Sequence, residues 1–256
     1  MQQPAATSKE PEPAVPWRGR AHLGTGWAVF LGVAGDNHPH AHHAVQIVVA
    51  FDAPVTLWTS ASGSRVVSVA VVPSDLPHTL LPSDAEVGLL YLDAESAPGR
   101  SLGSMSDELW SPPSIDLAPM RSAFEDAIGG RAQGLEHLLT QFAFQSPERQ
   151  SDERVSSALE RLHRSEHLDI TASEISAWAH LSPSRFAHRF RLYTGMPLRP
   201  YLRWLRLQRA AAAIISGASA TDAAHTAGFS DGAHLSRTFR RHFGITPAML
   251  TGLGNR

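Results

Sequence analysis

Residues 182–197 read SPSRFAHRFRLYTGMP and residues 231–247 read DGAHLSRTFRRHFGITP. The two stretches register at an offset of 49 residues: Phe190-Arg191 falls on Phe239-Arg240, Gly195 on Gly244, and Phe186 on Leu235. A fixed offset of this kind marks one supersecondary unit used twice. In the first copy Ser182-Pro183 supplies an N-cap and a proline at the first helical position, and Phe186 and Phe190 form a buried stripe one turn apart. Gly195 and Pro197 stop the helix. In the second copy Ser230 is the expected cap, and Phe239 and Phe243, like Phe186 and Phe190, are read as core.

Working outward, Thr171 and Glu174 have the spacing of a capping box that opens a helix carrying Ile175, Trp178 and Leu181 inward. Val155, Leu159 and Leu162 lie on one face of a helix before it. The equivalent short helix of the second copy runs from Thr221 to Thr226 and ends at Gly228, with Phe229 at the turn. Between the copies Pro200 to Ser216 is expected as one helix, with Leu202, Leu205, Ile214 and Ile215 inside. At ~1.5 Å per residue it is a rod of roughly 25 Å, suited to holding two helices near the ~34 Å between successive major-groove faces.

With 256 residues, 43% of them hydrophobic, the chain suits two modest domains better than one oversized core. It has no apolar run of eighteen, and its start, with Pro4, Glu10, Pro11, Glu12 and Pro13, lacks the order of a signal peptide, so a cytoplasmic protein without a membrane span is expected. Cysteine is absent, which excludes disulfides and thiolate metal sites. The net charge of −2 conceals an asymmetry: residues 1–149 carry −8 and residues 150–256 carry +6, with every cation of the second part an arginine. Only that part suits a polyanion, and the arginine fork matches phosphate oxygens and guanine edges.

These C-terminal motifs resemble the AraC/XylS family of transcription regulators over about residues 155–250. The likeness rests on Ser182 to Phe186, Phe190 to Pro197, Ala227-Gly228-Phe229-Ser230, Leu235 to Arg240, and Gly244 to Pro247. It implies two helix-turn-helix units joined by a long helix and binding double-stranded DNA. By motif position its base-reading sites fall on Ser184, Ala187 and His188, and on Gly232, Ala233, Ser236 and Arg237. Ala187, Gly232 and Ala233 are smaller than the usual long polar residues and offer at most a thymine-methyl contact or close backbone approach, whereas Arg237 can fork onto guanine. Arg185, Arg191, Arg240 and Arg241 are candidates for phosphates. Each outward residue is also compatible with a plain solvated helix face.

The first half has a different texture. Residues 1–16 are rich in Pro, Ala and Glu and are expected to be a flexible tail. From Trp17 to about Leu92, β-branched runs such as Val45 to Val49, Val55 to Trp58 and Val66 to Val72 are broken by turn residues, the pattern of a small antiparallel barrel or sandwich. Residues 98–114 read as loop, helical spacing returns in Met120 to Ala127 and in Leu135 to Phe142, and Gln145 to Glu153 reads as the linker. The domains are thus a tail (1–16), a sensor with a helical packing or dimerisation segment (17–149) and a DNA-binding domain (150–256).

One constellation in the first half has the chemistry of a site: His38-Pro39-His40-Ala41-His42-His43 followed by Gln46, with His78 beyond it. On an extended strand His40, His42 and Gln46 share a side, while His43 points the other way. This set is similar to the metal motifs of cupins, with Gln46 where a glutamate is usual, and cupin-like sensor domains are common in the AraC/XylS family. An amide is a weak ligand for a hard cation, so imidazoles would dominate and Zn, Ni, Cu or Fe(II) would suit. Three readings stay open: a divalent metal site, the lining of an organic-effector pocket, and a structural cluster.

The fold class expected is α+β, a cupin-like β-barrel followed by an all-α domain with two helix-turn-helix motifs. The function that follows is a transcription regulator controlled by a small molecule or metal, with RNA polymerase as a partner and a homodimer multiplying affinity. The rival is a metal-dependent cupin enzyme with a helical appendage, which accounts for the histidines but leaves the 49-residue repeat unexplained.

Overall fold

The computed structural model describes residues 15–112, 115–142, 152–165 and 168–253. Most of the sequence-expected tail and linker lies outside them. Eight strands come first: β1 (Arg18–Gly24), β2 (Trp27–Val33), β3 (Ala44–Ala50), β4 (Val55–Thr59), β5 (Gly63–Val67), β6 (Val69–Val72), β7 (His78–Leu80) and β8 (Glu86–Asp93). They form a five-stranded antiparallel sheet in the order β1-β2-β8-β3-β6 and a three-stranded sheet in the order β5-β4-β7. The expected small barrel or sandwich is built as two antiparallel sheets, tied near the histidines by an isolated bridge between His40 and His78.

Strand β3 is buried along its whole length because both of its faces are covered. Val45, Ile47 and Val49 join one core with Phe124, Ile128 and Leu138 of α2 (Ala118–Ile128) and α3 (Ala132–Thr140). Val48 and Ala50 join the other core, between the sheets, with Leu57 and Leu80. The period of two thus delivers Gln46 to the inside. Gly88 of β8 is required where α2 crosses, since a Cβ there would lie 2.6 Å from the Phe124 ring.

One expectation for this half fails. Within the stretch read as loop, Ala97–Gly103 is a helix, α1, capped by Ser96, whose hydroxyl accepts from Gly99 N–H at 3.0 Å. Pro98 sits in its first turn, where proline costs no hydrogen bond, so Pro and Gly there punctuate a short helix.

The helical part comprises α4 (Glu153–Arg164), α5 (Ala172–Trp178), α6 (Pro183–Thr194), α7 (Leu198–Ile215), α8 (Ala220–Thr226), α9 (Gly232–Phe243) and a 3-10 turn, Pro247–Leu250. The capping box of Thr171 and Glu174 is formed, and Ser182 caps α6. The cap of α9 is Asp231 and not Ser230: Asp231 accepts from His234 N–H at 2.6 Å, and Ser230 instead hydrogen-bonds Asp231 and His234. Helices α6 and α9 keep the 49-residue offset, and Gly195 and Gly244 both end them in the left-handed region.

Helix α7 is longer than expected and buries Tyr201, Trp204, Leu207 and Ala210 in addition to Leu205 and Ile214. These residues face two different neighbours. Tyr201 and Leu205 complete the core of the first unit with Phe186 and Phe190. Leu207, Ala210 and Ile214 belong, with Leu235 and Phe239, to a core that continues into Ala21, Phe30 and Leu89 of the sheets. The second helix-turn-helix unit thus shares its hydrophobic core with the N-terminal domain.

Candidate DNA-reading face and interdomain histidine site

The apolar stripe of each reading helix decides what its opposite face shows. With Phe186 and Phe190 buried, α6 leaves Ser184, Arg185, Ala187, His188 and Arg191 exposed. With Leu235 and Phe239 buried, α9 leaves Ala233, Arg237 and Arg240 exposed, and Gly232 and Ser236 half-covered. Ser236 Oγ donates to the Gly232 carbonyl at 2.8 Å, which leaves its lone pairs to face an incoming donor. Arg240 is already engaged, because its guanidinium donates to His38 Nε2 of the N-terminal domain. Sequence spacing could not show that contact, which joins residues 202 apart.

His40, His42, Gln46 and His78 converge, although His40 and His42 precede β3 and do not share a strand with Gln46: the isolated bridge from His40 to His78 brings those two together. The imidazole donor atoms all lie within 4.8 Å of one another, and the His40 and His78 rings are 4.5 Å apart. Each ring is oriented by a backbone carbonyl: His40 Nδ1 donates to His38 O at 2.8 Å, His42 Nδ1 to Ala44 O at 3.1 Å, and His78 Nδ1 to Leu76 O at 2.8 Å. A carbonyl only accepts, so each neutral ring keeps its proton on Nδ1 and turns a bare Nε2 inward. His42 Nε2 and His78 Nε2 meet Gln46 Oε1 at 3.0 and 2.9 Å. Those are lone pairs without a proton between them. The arrangement is satisfied when the Gln46 amide turns its NH2 to the two rings, or when a cation sits among the acceptors.

The electrostatics keep the three rings neutral, as both solutions require. Burial, then the neighbouring His42, lowers the His40 pKa to about 3. Burial also lowers His42, and burial with its two histidine neighbours holds His78 well below the usual imidazole range. Three neutral imidazoles with outer-shell carbonyls are what a borderline divalent metal selects, without a proton to displace. His43, on the opposite face, behaves otherwise. Burial disfavours its charge, but hydrogen bonds to Asp75 at 2.9 Å and Glu95 at 3.1 Å, with the charges of those carboxylates, raise its pKa to about 10.

The cluster opens into a cavity of about 410 Å³ between the sheets and the helical part. Trp17, Phe30, Leu89, Tyr91, Trp204 and Phe243 give it apolar walls, and His40, Gln46 and His78 line it together with Asp93, Gln208 and Arg209. Asp93 Oδ1 accepts from Gln208 at 2.6 Å and from Trp204 Nε1 at 3.4 Å, while its Oδ2 is buried without a hydrogen bond. Sequence reading missed His163, Trp204, Gln208 and Asp93, since nothing local marks residues that meet only when two domains close on each other.

Both halves of the chain are similar to known proteins. A sequence model of the helix-turn-helix domain family matches residues 175–251. A point variant of ToxT from Vibrio cholerae strain SCE256, without ligand, is 12% identical over 91% of this chain and 100% of its own, with a TM-score of 0.61. Wild-type ToxT of the same strain, bound to an unsaturated fatty acid, is 13% identical over 92% of this chain and 99% of its own, with a TM-score of 0.54. An AraC-type DNA-binding domain protein from Chromobacterium violaceum is 26% identical over 38% of this chain and 88% of its own, with a TM-score of 0.36. Residues 175–251 are a helix-turn-helix domain. That domain lies behind an N-terminal sheet domain in a ToxT-like fold. Among the described residues no helix is long and apolar enough to cross a membrane.

Proposed function

We propose that this protein is a cytoplasmic transcription regulator whose two reading helices bind double-stranded DNA and whose N-terminal domain senses a small molecule or metal held in the interdomain cavity. The observation that carries the sensing half is that His40, Gln46 and His78 line a cavity whose far wall is built from α7 and α9, so an occupant touches both domains. In the reading half, Arg237 and His188 read base edges, with Ser184, Ala187, Gly232, Ala233 and Ser236 beside them, and Arg185, Arg191 and Arg240 hold phosphates.

His40, His42 and His78 would hold the metal through Nε2, with Gln46 as a fourth, weaker donor, and the ion would supply a Lewis-acidic point for an oxygen or nitrogen of an organic ligand. The apolar walls favour a ligand with a hydrophobic body, a property in keeping with the fatty acid bound by ToxT. RNA polymerase and a second copy of the chain are the remaining partners of this reading. An enzyme with a helical appendage is less well supported, because α7 and α9 are structural walls of the cavity.

The experiment is binding-site selection from genomic DNA with the full-length protein, with added Zn2+ or with chelator, and repeated with His40 and His42 both changed to Ala. A compact motif with half-sites about one helical turn apart is expected, with recovery that depends on metal and on the histidines. No enriched motif under any condition defeats the two-reader reading.

A further inference from the structure

The last turn of α9 does not end in solvent. It sits on the segment that carries the histidine site. His38 N–H donates to Gly244 O at 2.9 Å, and Arg240 donates to His38 Nε2. The fit is close: a Cβ on Gly244 would lie 2.4 Å from His38 O and 2.6 Å from His40 Nδ1. Gly195, its counterpart on α6, has nothing within 4 Å of the same position. Of the two glycines that end these helices, Gly244 alone is packed against the N-terminal segment, and its seat includes a ring of the candidate metal site.

We propose that residues 38–42 form a latch on the second reader: the seated state keeps Arg240 on His38 and away from DNA, and filling the histidine site with a divalent transition metal releases it. The metal half of this proposal rests on the sensing function proposed above; the latch itself does not. A four-coordinate ion needs donor nitrogens about 3.3 Å apart, given metal–nitrogen distances of about 2.0–2.1 Å. Here the donors lie within 4.8 Å of one another, so an ion that holds them at its own spacing sets the positions of all three rings. The His40 ring cannot move alone, because its Nδ1 is bonded to His38 O and Gly244 packs against both. A shift of that ring therefore disturbs the surface on which Arg240 and Gly244 rest. By linkage, DNA must raise the affinity for metal by the factor by which metal raises the affinity for DNA.

The test uses the full-length protein and its selected operator at several salt concentrations. His38→Ala, at an exposed position, removes the partner of Arg240 while leaving His40, His42 and His78 in place. It should bind the operator about three- to tenfold more tightly without metal. Its plot of log affinity against log salt should be steeper by about 0.9, the signature of one added phosphate contact. Arg240→Ala should cost more affinity in the His38→Ala background than in the parent, and Zn2+ should strengthen the parent more than His38→Ala. Unchanged affinity and slope in His38→Ala overturn the latch, whatever the metal does. Zn2+ that binds, by titration against a competing chelator, yet leaves operator affinity unchanged overturns the coupling. Zn2+ that fails to bind while His38→Ala tightens and steepens operator binding supports the latch and refutes the metal-sensing function instead.

Discussion

Asp93, the last residue of β8, accepts a 2.6 Å hydrogen bond from Gln208 in the middle of α7, a contact between residues 115 apart. It is one of several polar links between the domains, beside those joining Arg240 and Gly244 to His38, and it is reinforced by Trp204 on the same oxygen. Because the second unit shares its core with the sheets, a change at this link reaches α9 through packed side chains and needs no flexible hinge.

The link should be sensitive to pH. Burial, then the charge of nearby Glu95, raises the Asp93 pKa to about 6, against the hydrogen bonds from Gln208 and Trp204, which lower it. A carboxyl raised above its unfolded value of 3.8 binds more protons in the native state, so it subtracts stability as pH rises between about 4 and about 6. Asp93→Asn keeps an acceptor for Gln208 and removes the charge. It should flatten that part of the stability profile, read by urea unfolding across pH 4 to 7; an unchanged slope would assign the pH dependence to another group.

Gly195 and Gly244 hold the same left-handed backbone, with φ of 77° and 70°, but in different surroundings. Alanine at either position pays for the left-handed conformation, about 1 kcal/mol. Gly195→Ala should cost little more, having open space. Gly244→Ala must in addition push apart α9 and the His38–His40 backbone, so a loss of roughly 2–4 kcal/mol is expected, on the scale of overpacking plus backbone strain. Equal losses in thermal unfolding would mean that the seat gives way freely.

Arg237 is exposed on α9 and stands one turn from Ala233, on the face opposite Leu235 and Phe239. If it forks onto a guanine, Arg237→Ala should weaken specific binding by roughly 1–3 kcal/mol and relax preference at one base pair. Non-specific binding should change less. An equal loss on every DNA tested would make it a phosphate contact.

Much of the architecture was legible in the sequence because it is local. Caps at Thr171 and Ser182, stops at Gly195 and Gly244, and the stripes Phe186/Phe190 and Leu235/Phe239 are written within a few residues of the helices they define. His40, His42 and Gln46 do converge, but the strand period is not the reason, since β3 begins at Ala44; His78 came from its resemblance to a second motif. What escaped was long-range. Trp204 and Gln208 read simply as residues of a helix, and only the closure of α7 over the sheets makes them cavity walls. Ser230 and Asp231 are both good caps, and sequence alone ranks them equally, whereas the 2.6 Å bond from His234 N–H decides for Asp231.

The donor set at the histidine site allows a substitution that distinguishes the two ways of satisfying Gln46. If the amide turns its NH2 to His42 and His78, Gln46 is a structural bridge, and Gln46→Glu replaces two donors with a buried carboxylate facing two lone pairs. That would destabilise the metal-free protein by several kcal/mol or draw protons onto the rings. With a divalent ion present the same carboxylate is a better ligand than an amide, so Zn2+ should bind Gln46→Glu at least about tenfold more tightly than the parent and restore its stability. The readout is thermal unfolding with and without Zn2+, alongside a competition titration. A variant that loses stability and gains nothing from Zn2+ would show that the cluster is a hydrogen-bonded strut of the cavity wall and not a metal site.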